Sequence, residues 1–285
     1  MAHVATRVGR LHVEVEGSGP PALLWHSLFV DSTTWARLRP TLAATRTLVT
    51  VDGPGHGRSD AAPRPYTLSD CALAAREVLG ALAVSGPVDW LGNAWGGHVG
   101  VFFAAEHPDA CRSLTTIATP ITALAPNDRR SVALVRLLHR LAGPRPVAGL
   151  LADALLGKDL RRADPEAAAV VRSAFVRADR RGMRQAIQAI SLDRPDATDQ
   201  LDAVRAPTLM ATGEHDPMCT PSDTAAWAAR VAEGHHLVLP GKGHLAPLFD
   251  PRTAEAITGF WAGNTVTATT TTSRNSTPAT RKPRS

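Results

Sequence analysis

The chain has 285 residues, 44% of them apolar, and a formal net charge of +5. That length and apolar content supply a core for one large domain, and exclude a disordered chain, a small disulfide scaffold and a fibrous repeat. The positive excess sits at the C-terminal end, in Arg274, Arg281, Lys282 and Arg284, so the body is near neutral and no nucleic-acid partner is implied.

No apolar run reaches the roughly 18 residues of a membrane span. The first residues alternate and carry charges, unlike a secretory leader. Cys71, Cys111 and Cys219 are far apart and odd in number, which suggests neither a disulfide framework nor a zinc site. The expectation is a cytoplasmic protein acting on a small molecule, with no membrane partner, no metal and no cofactor.

Residues 4–16 read as a hairpin with Gly9 near its turn. Residues 21–27 form a buried strand, and 32–44 a short helix with a Ser/Thr start. A second buried strand covers 46–53 and runs into a turn-rich segment. A long amphipathic helix covers 67–84. Strand 88–93, helix 95–108 and strand 112–119 follow. The rhythm then changes to helical, Arg-rich sequence. Strand–helix alternation returns with 207–213, 222–231, 235–240 and 251–263. The pattern predicts an α/β fold, a mostly parallel sheet with helices on both faces. The division is a core at 1–120 and 204–263, a helical lid at 121–203, and a disordered Thr/Ser-rich tail at 264–285. The lid residues Val132, Leu134, Leu137, Leu138 and Leu141, at helical spacing, are expected to cover a pocket or to pack the lid on itself.

The segment Gly92-Asn93-Ala94-Trp95-Gly96-Gly97 joins a strand to a helix. Small residues flank a central position on a sharp turn, the layout of a nucleophile elbow. The central residue is Ala94, which has no nucleophilic atom. Asp216 follows strand 207–213, and His244 follows strand 235–240. Elbow, acid and histidine therefore run in the order Ser…Asp…His of one particular fold. Upstream, His26-Ser27-Leu28-Phe29 follows the first buried parallel strand. A glycine-rich loop, Asp52 to Ser59, follows the next. Its spacing does not suit a dinucleotide, and His215, His235 and His236 are not at metal-ligand spacing.

Together these features resemble the α/β-hydrolase fold superfamily, in its lidded branch of esterases, lactonases, C–C hydrolases and haloperoxidase-like enzymes, over roughly residues 10–262. The resemblance implies that Asp216 is the triad acid and His244 the base. It implies backbone oxyanion donors at Leu28 and Trp95, and Phe29, His26 and Trp95 beside the substrate. Ala94 is the departure. Either a serine hydrolase has lost its nucleophile, or His244 activates water directly against an ester, thioester or lactone. Two other readings stay open. One is non-hydrolytic base catalysis of lyase, cyclase, decarboxylase or cofactor-free oxygenase type. The other is a catalytically silent small-ligand-binding protein. Ser27 on the oxyanion loop, Asn93 and His98 flanking the elbow, and Cys219 three residues past the acid are the candidates to replace the missing hydroxyl, and each is expected to be structural instead.

Overall fold

The computed structural model describes residues 1–263. The tail read as disordered, 264–285, lies outside the described residues. One eight-stranded sheet holds β1 (Ala2–Thr6), β2 (Gly9–Gly17), β3 (Pro21–Trp25), β4 (Thr47–Val51), β5 (Val88–Asn93), β6 (Cys111–Ile117), β7 (Thr208–Gly213) and β8 (Gly234–Leu239). Their spatial order is β1-β2-β4-β3-β5-β6-β7-β8. β1 and β2 join antiparallel, and every pairing from β4 to β8 is parallel.

A parallel strand covered on both faces reads as a continuous apolar run, and β5 is buried at all six positions. Its one charge, Asp89, accepts from Arg46 Nε at 2.7 Å and from Ser113 Oγ at 2.8 Å, so it is buried with partners. The chain leaves β3 toward β4 on one side and resumes with β5 on the other. The strand order therefore reverses between β3 and β5, and a crevice opens outside their carboxyl ends, where open α/β sheets bind ligands.

α2 (Leu68–Ala81) and α3 (Trp95–Glu106) pack on one face of the sheet. α1 (Arg39–Ala43) and α11 (Pro251–Trp261) pack on the other. α2 begins in a capping box between Thr67 and Asp70. The single helix expected at 32–44 is split. A 3₁₀ turn, Ser32–Trp35, is capped by Asp31, and α1 begins only at Arg39. Pro40 explains the break, because it lacks an N–H and suits only the first turn of a helix.

Between β6 and β7 lies a helical insertion: α4 (Pro126–Ala142), α5 (Arg145–Leu156), α6 (Lys158–Ala163), α7 (Pro165–Arg177), α8 (Arg180–Ala186), a π-helical segment (Ile187–Leu192) and α9 (Thr198–Ala203). α10 (Pro221–Ala228) separates β7 from β8. The leucine stripe of α4 does not do what its spacing predicts. Leu134, Leu137, Leu138 and Leu141 are exposed, while Val132 and His139 turn inward. His139 packs its ring near Phe175 of α7. The helix uses its 132–136–139 side for packing, so the more apolar face looks out. No described helix is long and apolar enough to cross a membrane.

Candidate active site

Ala94 joins β5 to α3 with φ 44° and ψ −100°, a conformation costing of order 1–3 kcal/mol for a residue with a Cβ. Surrounding bonds hold it there. Its N–H donates to Ile117 O at 2.8 Å, its carbonyl accepts from His98 N–H at 2.9 Å, and Gly96 N–H donates to His26 O at 3.1 Å. The glycines are steric requirements. A Cβ on Gly92 would lie 2.1 Å from the Gly96 carbonyl, and one on Gly96 would lie 1.9 Å from Trp25 O. β5, α3 and the end of β3 thus meet backbone against backbone.

Asp216 and His244 extend from the ends of β7 and β8. The Nδ1–H of His244 donates to Asp216 Oδ2 at 2.9 Å. Asp216 Oδ1 accepts from the backbone N–H groups of Met218 at 2.8 Å and Cys219 at 3.1 Å, which fixes the carboxylate plane. Both side chains are buried, and the Nε2 of His244 bonds to no protein group among the described residues. The two loops are stitched together by His215 N–H donating to Lys242 O at 2.8 Å.

The segment after β3 sits across the crevice. Neither the N–H of Leu28 nor that of Trp95 donates to a protein acceptor among the described residues. Trp95 opens α3, where the first N–H groups lack intrahelical acceptors and the helix dipole is positive. Of the three side chains expected beside substrate, His26 and Trp95 are packed among protein groups. His26 is fully buried, with Nδ1–H donating to Ser27 O at 2.7 Å and Nε2 accepting from Gly53 N–H at 2.8 Å. It ties the β3 loop to the β4 loop. The Trp95 indole turns into the core, edge-on to Trp25 at 5.8 Å and to His26 at 5.4 Å. Phe29 is half-buried at φ 73°, and its ring meets Phe175 of α7 edge-on at 5.8 Å.

Sequence reasoning missed the joint between this loop and the insertion. Buried Asp31 receives the guanidinium of Arg177 through two bonds, at 2.6 and 2.8 Å. Burial alone would raise the Asp31 pKa, but the Arg177 fork and Thr33 hold it below the usual carboxylate range. The pair is 146 residues apart in the chain, and no local signal announces it. The glycine-rich loop serves the same junction. Gly55 O accepts from Asp179 N–H at 3.0 Å, and a Cβ on Gly55 would lie 2.4 Å from Gly182 Cα.

The other polar groups near the elbow are engaged in part, with Asn93 Oδ1 and His98 Nδ1 buried without partners and Ser27 Oγ making no hydrogen bond among the described residues. Asn93 Nδ2 donates to Ile117 O at 3.0 Å, His98 Nε2–H donates to Pro120 O at 2.5 Å, and Cys219 Sγ lies 3.3 Å from Thr224 Oγ1. Burial pushes the Cys219 thiol up to about 12, which removes its thiolate at neutral pH. Burial also lowers His56 and His98, each to about 3, with His26 adding to the effect at His56 and Arg194 at His98. Their pKa in the unfolded chain is near 6.5. Folded values below the unfolded one mean stability that is full above about pH 6.5 and lost as pH falls toward 3. Each residue is expected to cost about 1.4 kcal/mol per pH unit in that window. Urea unfolding at pH 7 and pH 5 checks this. The His98→Gln variant is expected to show a shallower pH dependence, and an unchanged slope contradicts the assignment.

The sequence matches the family described as alpha/beta hydrolase fold over residues 20–251. It is 31% identical over 218 residues to a pimeloyl-[acyl-carrier protein] methyl ester esterase of Neisseria meningitidis serogroup B, covering 74% of this chain and 80% of that one. A thermophilic esterase from Thermogutta terrifontis superimposes with a TM-score of 0.85 at 26% identity, over 92% of this chain and 98% of its own. The enol-lactonase from Burkholderia xenovorans LB400 superimposes with a TM-score of 0.84 at 22% identity, over 92% of this chain and 100% of its own, a likeness of fold alone.

Proposed function

The chain belongs to the alpha/beta hydrolase fold family, and on that premise we propose that it is an esterase-like hydrolase of small esters, thioesters or lactones. His244 is its base, Asp216 orients that base, and the N–H groups of Leu28 and Trp95 receive the oxyanion. Ala94 stands where a nucleophile would. The observation carrying this reading is the buried His244–Asp216 pair, bonded at 2.9 Å with Nε2 left unbonded. His26, in the loop after β3, instead has both nitrogens engaged, and its task is to tie two loops together.

With a methyl group at position 94 no acyl-enzyme forms. Nε2 of His244 takes a proton from water, and the water oxygen bonds to the substrate carbonyl carbon. The carbonyl electron pair moves onto oxygen, between the two N–H groups. Collapse of that intermediate expels the alkoxide or thiolate, which takes the proton back from His244. Oxyanion stabilisation and binding alone retain roughly 10³–10⁴-fold over water in triads stripped of their nucleophile. The esterase relatives support the ester class. The insertion, taken as a lid at 121–203 over a core at 1–120 and 204–263, governs access, because Ala94 and His244 are only 7% and 5% exposed.

A second reading, non-hydrolytic base catalysis, is favoured by one feature: base and donors are kept while the nucleophile is a methyl. The test compares the protein with its His244→Ala variant on p-nitrophenyl acetate, phenyl thioacetate and γ-butyrolactone. The expected result is a rate above buffer that the variant lacks. Equal rates in the two proteins rule out His244 as the base.

A further inference from the structure

A cavity of about 820 Å³ opens between the insertion and the core, away from the elbow. Its walls come from the start of α2, from α3, α4 and α8, and from the π-helical segment, and none of Leu28, Ala94, Asp216 or His244 lines it. Phe102, in its wall, lies eight residues along α3 from Ala94, about 12 Å at the helical rise.

The Tyr66 hydroxyl is buried without a hydrogen-bond partner, in a side chain only 5% exposed. Arg136 Nε and Gln185 Oε1 are likewise buried and unpartnered. Buried polar atoms ordinarily find partners, and three of the unpartnered atoms among the described residues belong to side chains lining this one cavity. Burial raises the Tyr66 pKa, which keeps the hydroxyl a donor.

The charge balance is also one-sided, with four arginines against Asp70 and Asp193. Arg64 is bonded to Asp70 at 3.2 Å, and Arg181 donates to Pro63 O at 3.1 Å. Asp193 accepts from Gln188 at 2.6 Å and faces Arg129 at 3.8 Å. Arg136 and Arg184 pair with no carboxylate among the described residues.

We propose that this cavity is a second binding site, for a small anion with an apolar body such as an aryl carboxylate, sulfonate or phosphate monoester. Arg136 and Arg184 hold the anionic group, the Tyr66 hydroxyl donates to it, and Phe102 with Leu68 covers the apolar body. Gln185 Oε1 accepts from a ligand N–H or O–H. A ligand held there touches α2 and α3 of the core and α4 and α8 of the insertion at once, and so clamps one to the other.

The test uses 8-anilinonaphthalene-1-sulfonate and its uncharged analogue N-phenyl-1-naphthylamine, titrated by fluorescence into the whole protein. The expected result is saturable binding of the sulfonate at one site per chain. It weakens at least tenfold in Arg136→Gln/Arg184→Gln and at least threefold in the isosteric Tyr66→Phe. The uncharged analogue binds at least tenfold more weakly than the sulfonate and is indifferent to the arginine substitutions. His244→Ala leaves the sulfonate's affinity unchanged. Absence of saturable binding, equal affinity in the arginine variant, or a loss in His244→Ala overturns the proposal, the last by placing the probe at the elbow.

Discussion

Ala94→Ser is expected to raise hydrolysis of p-nitrophenyl acetate by about 10³-fold or more over the parent chain. Removing the nucleophile from a working triad costs about 10⁶-fold in kcat, and what persists comes from binding and the oxyanion hole. Replacing the missing group should recover a large part of that. The backbone imposes little obstacle, because Ala94 is already held at φ 44° and ψ −100° by hydrogen bonds from both sides. Serine adds one oxygen to a Cβ that is present. With the hydroxyl in place, His244 takes its proton and the reaction divides into acylation and deacylation. Steady-state rates on the two proteins make the comparison. A serine variant no faster than its parent means that His244 does not serve position 94.

In that serine background, His244→Ala is expected to remove at least about 10³-fold of the rate. Asp216→Asn is expected to lose as much as 10⁴-fold. The histidine effect follows from the loss of the base that Asp216 orients, whose Nε2 is unengaged among the described residues. The aspartate effect is geometric. Asp216 accepts from Met218 and Cys219 N–H through one oxygen and from His244 Nδ1–H through the other. An amide facing Nδ1 offers an N–H or a weaker acceptor, so the imidazole loses the tautomer with Nε2 free to accept. If the gain from Ala94→Ser survives His244→Ala, the base lies elsewhere.

What the sequence discloses about this molecule follows the range of the forces involved. Buried parallel strands are short apolar runs, and β3 is readable from Pro21–Trp25 alone. The elbow is readable because part of its constraint is local: Gly92 must be glycine where the Gly96 carbonyl, four residues on, would lie 2.1 Å from a Cβ. The positions of Asp216 and His244 follow from chain order at strand ends. Three kinds of information are not local. Amphipathic spacing in α4 says that two faces differ, not which one meets protein, and the leucines of that helix face outward. Trp95 directly follows the elbow residue and His26 directly follows β3, yet the directions of their rings depend on how the β4 loop packs under them. The Asp31–Arg177 pair, the Phe29–Phe175 contact and the cavity around Tyr66 and Arg136 each need residues from distant elements, and only the assembled fold brings these together.

The central claim is that the ends of β3, β5, β7 and β8 form an acyl-transfer site complete except for one hydroxyl. Intact-mass measurement after incubation with a serine-directed fluorophosphonate tests it most directly. The account predicts one phosphonate adduct per chain in Ala94→Ser and none in the parent or in Ala94→Ser/His244→Ala. Absence of an adduct in Ala94→Ser, or an equal adduct in the parent, would contradict it.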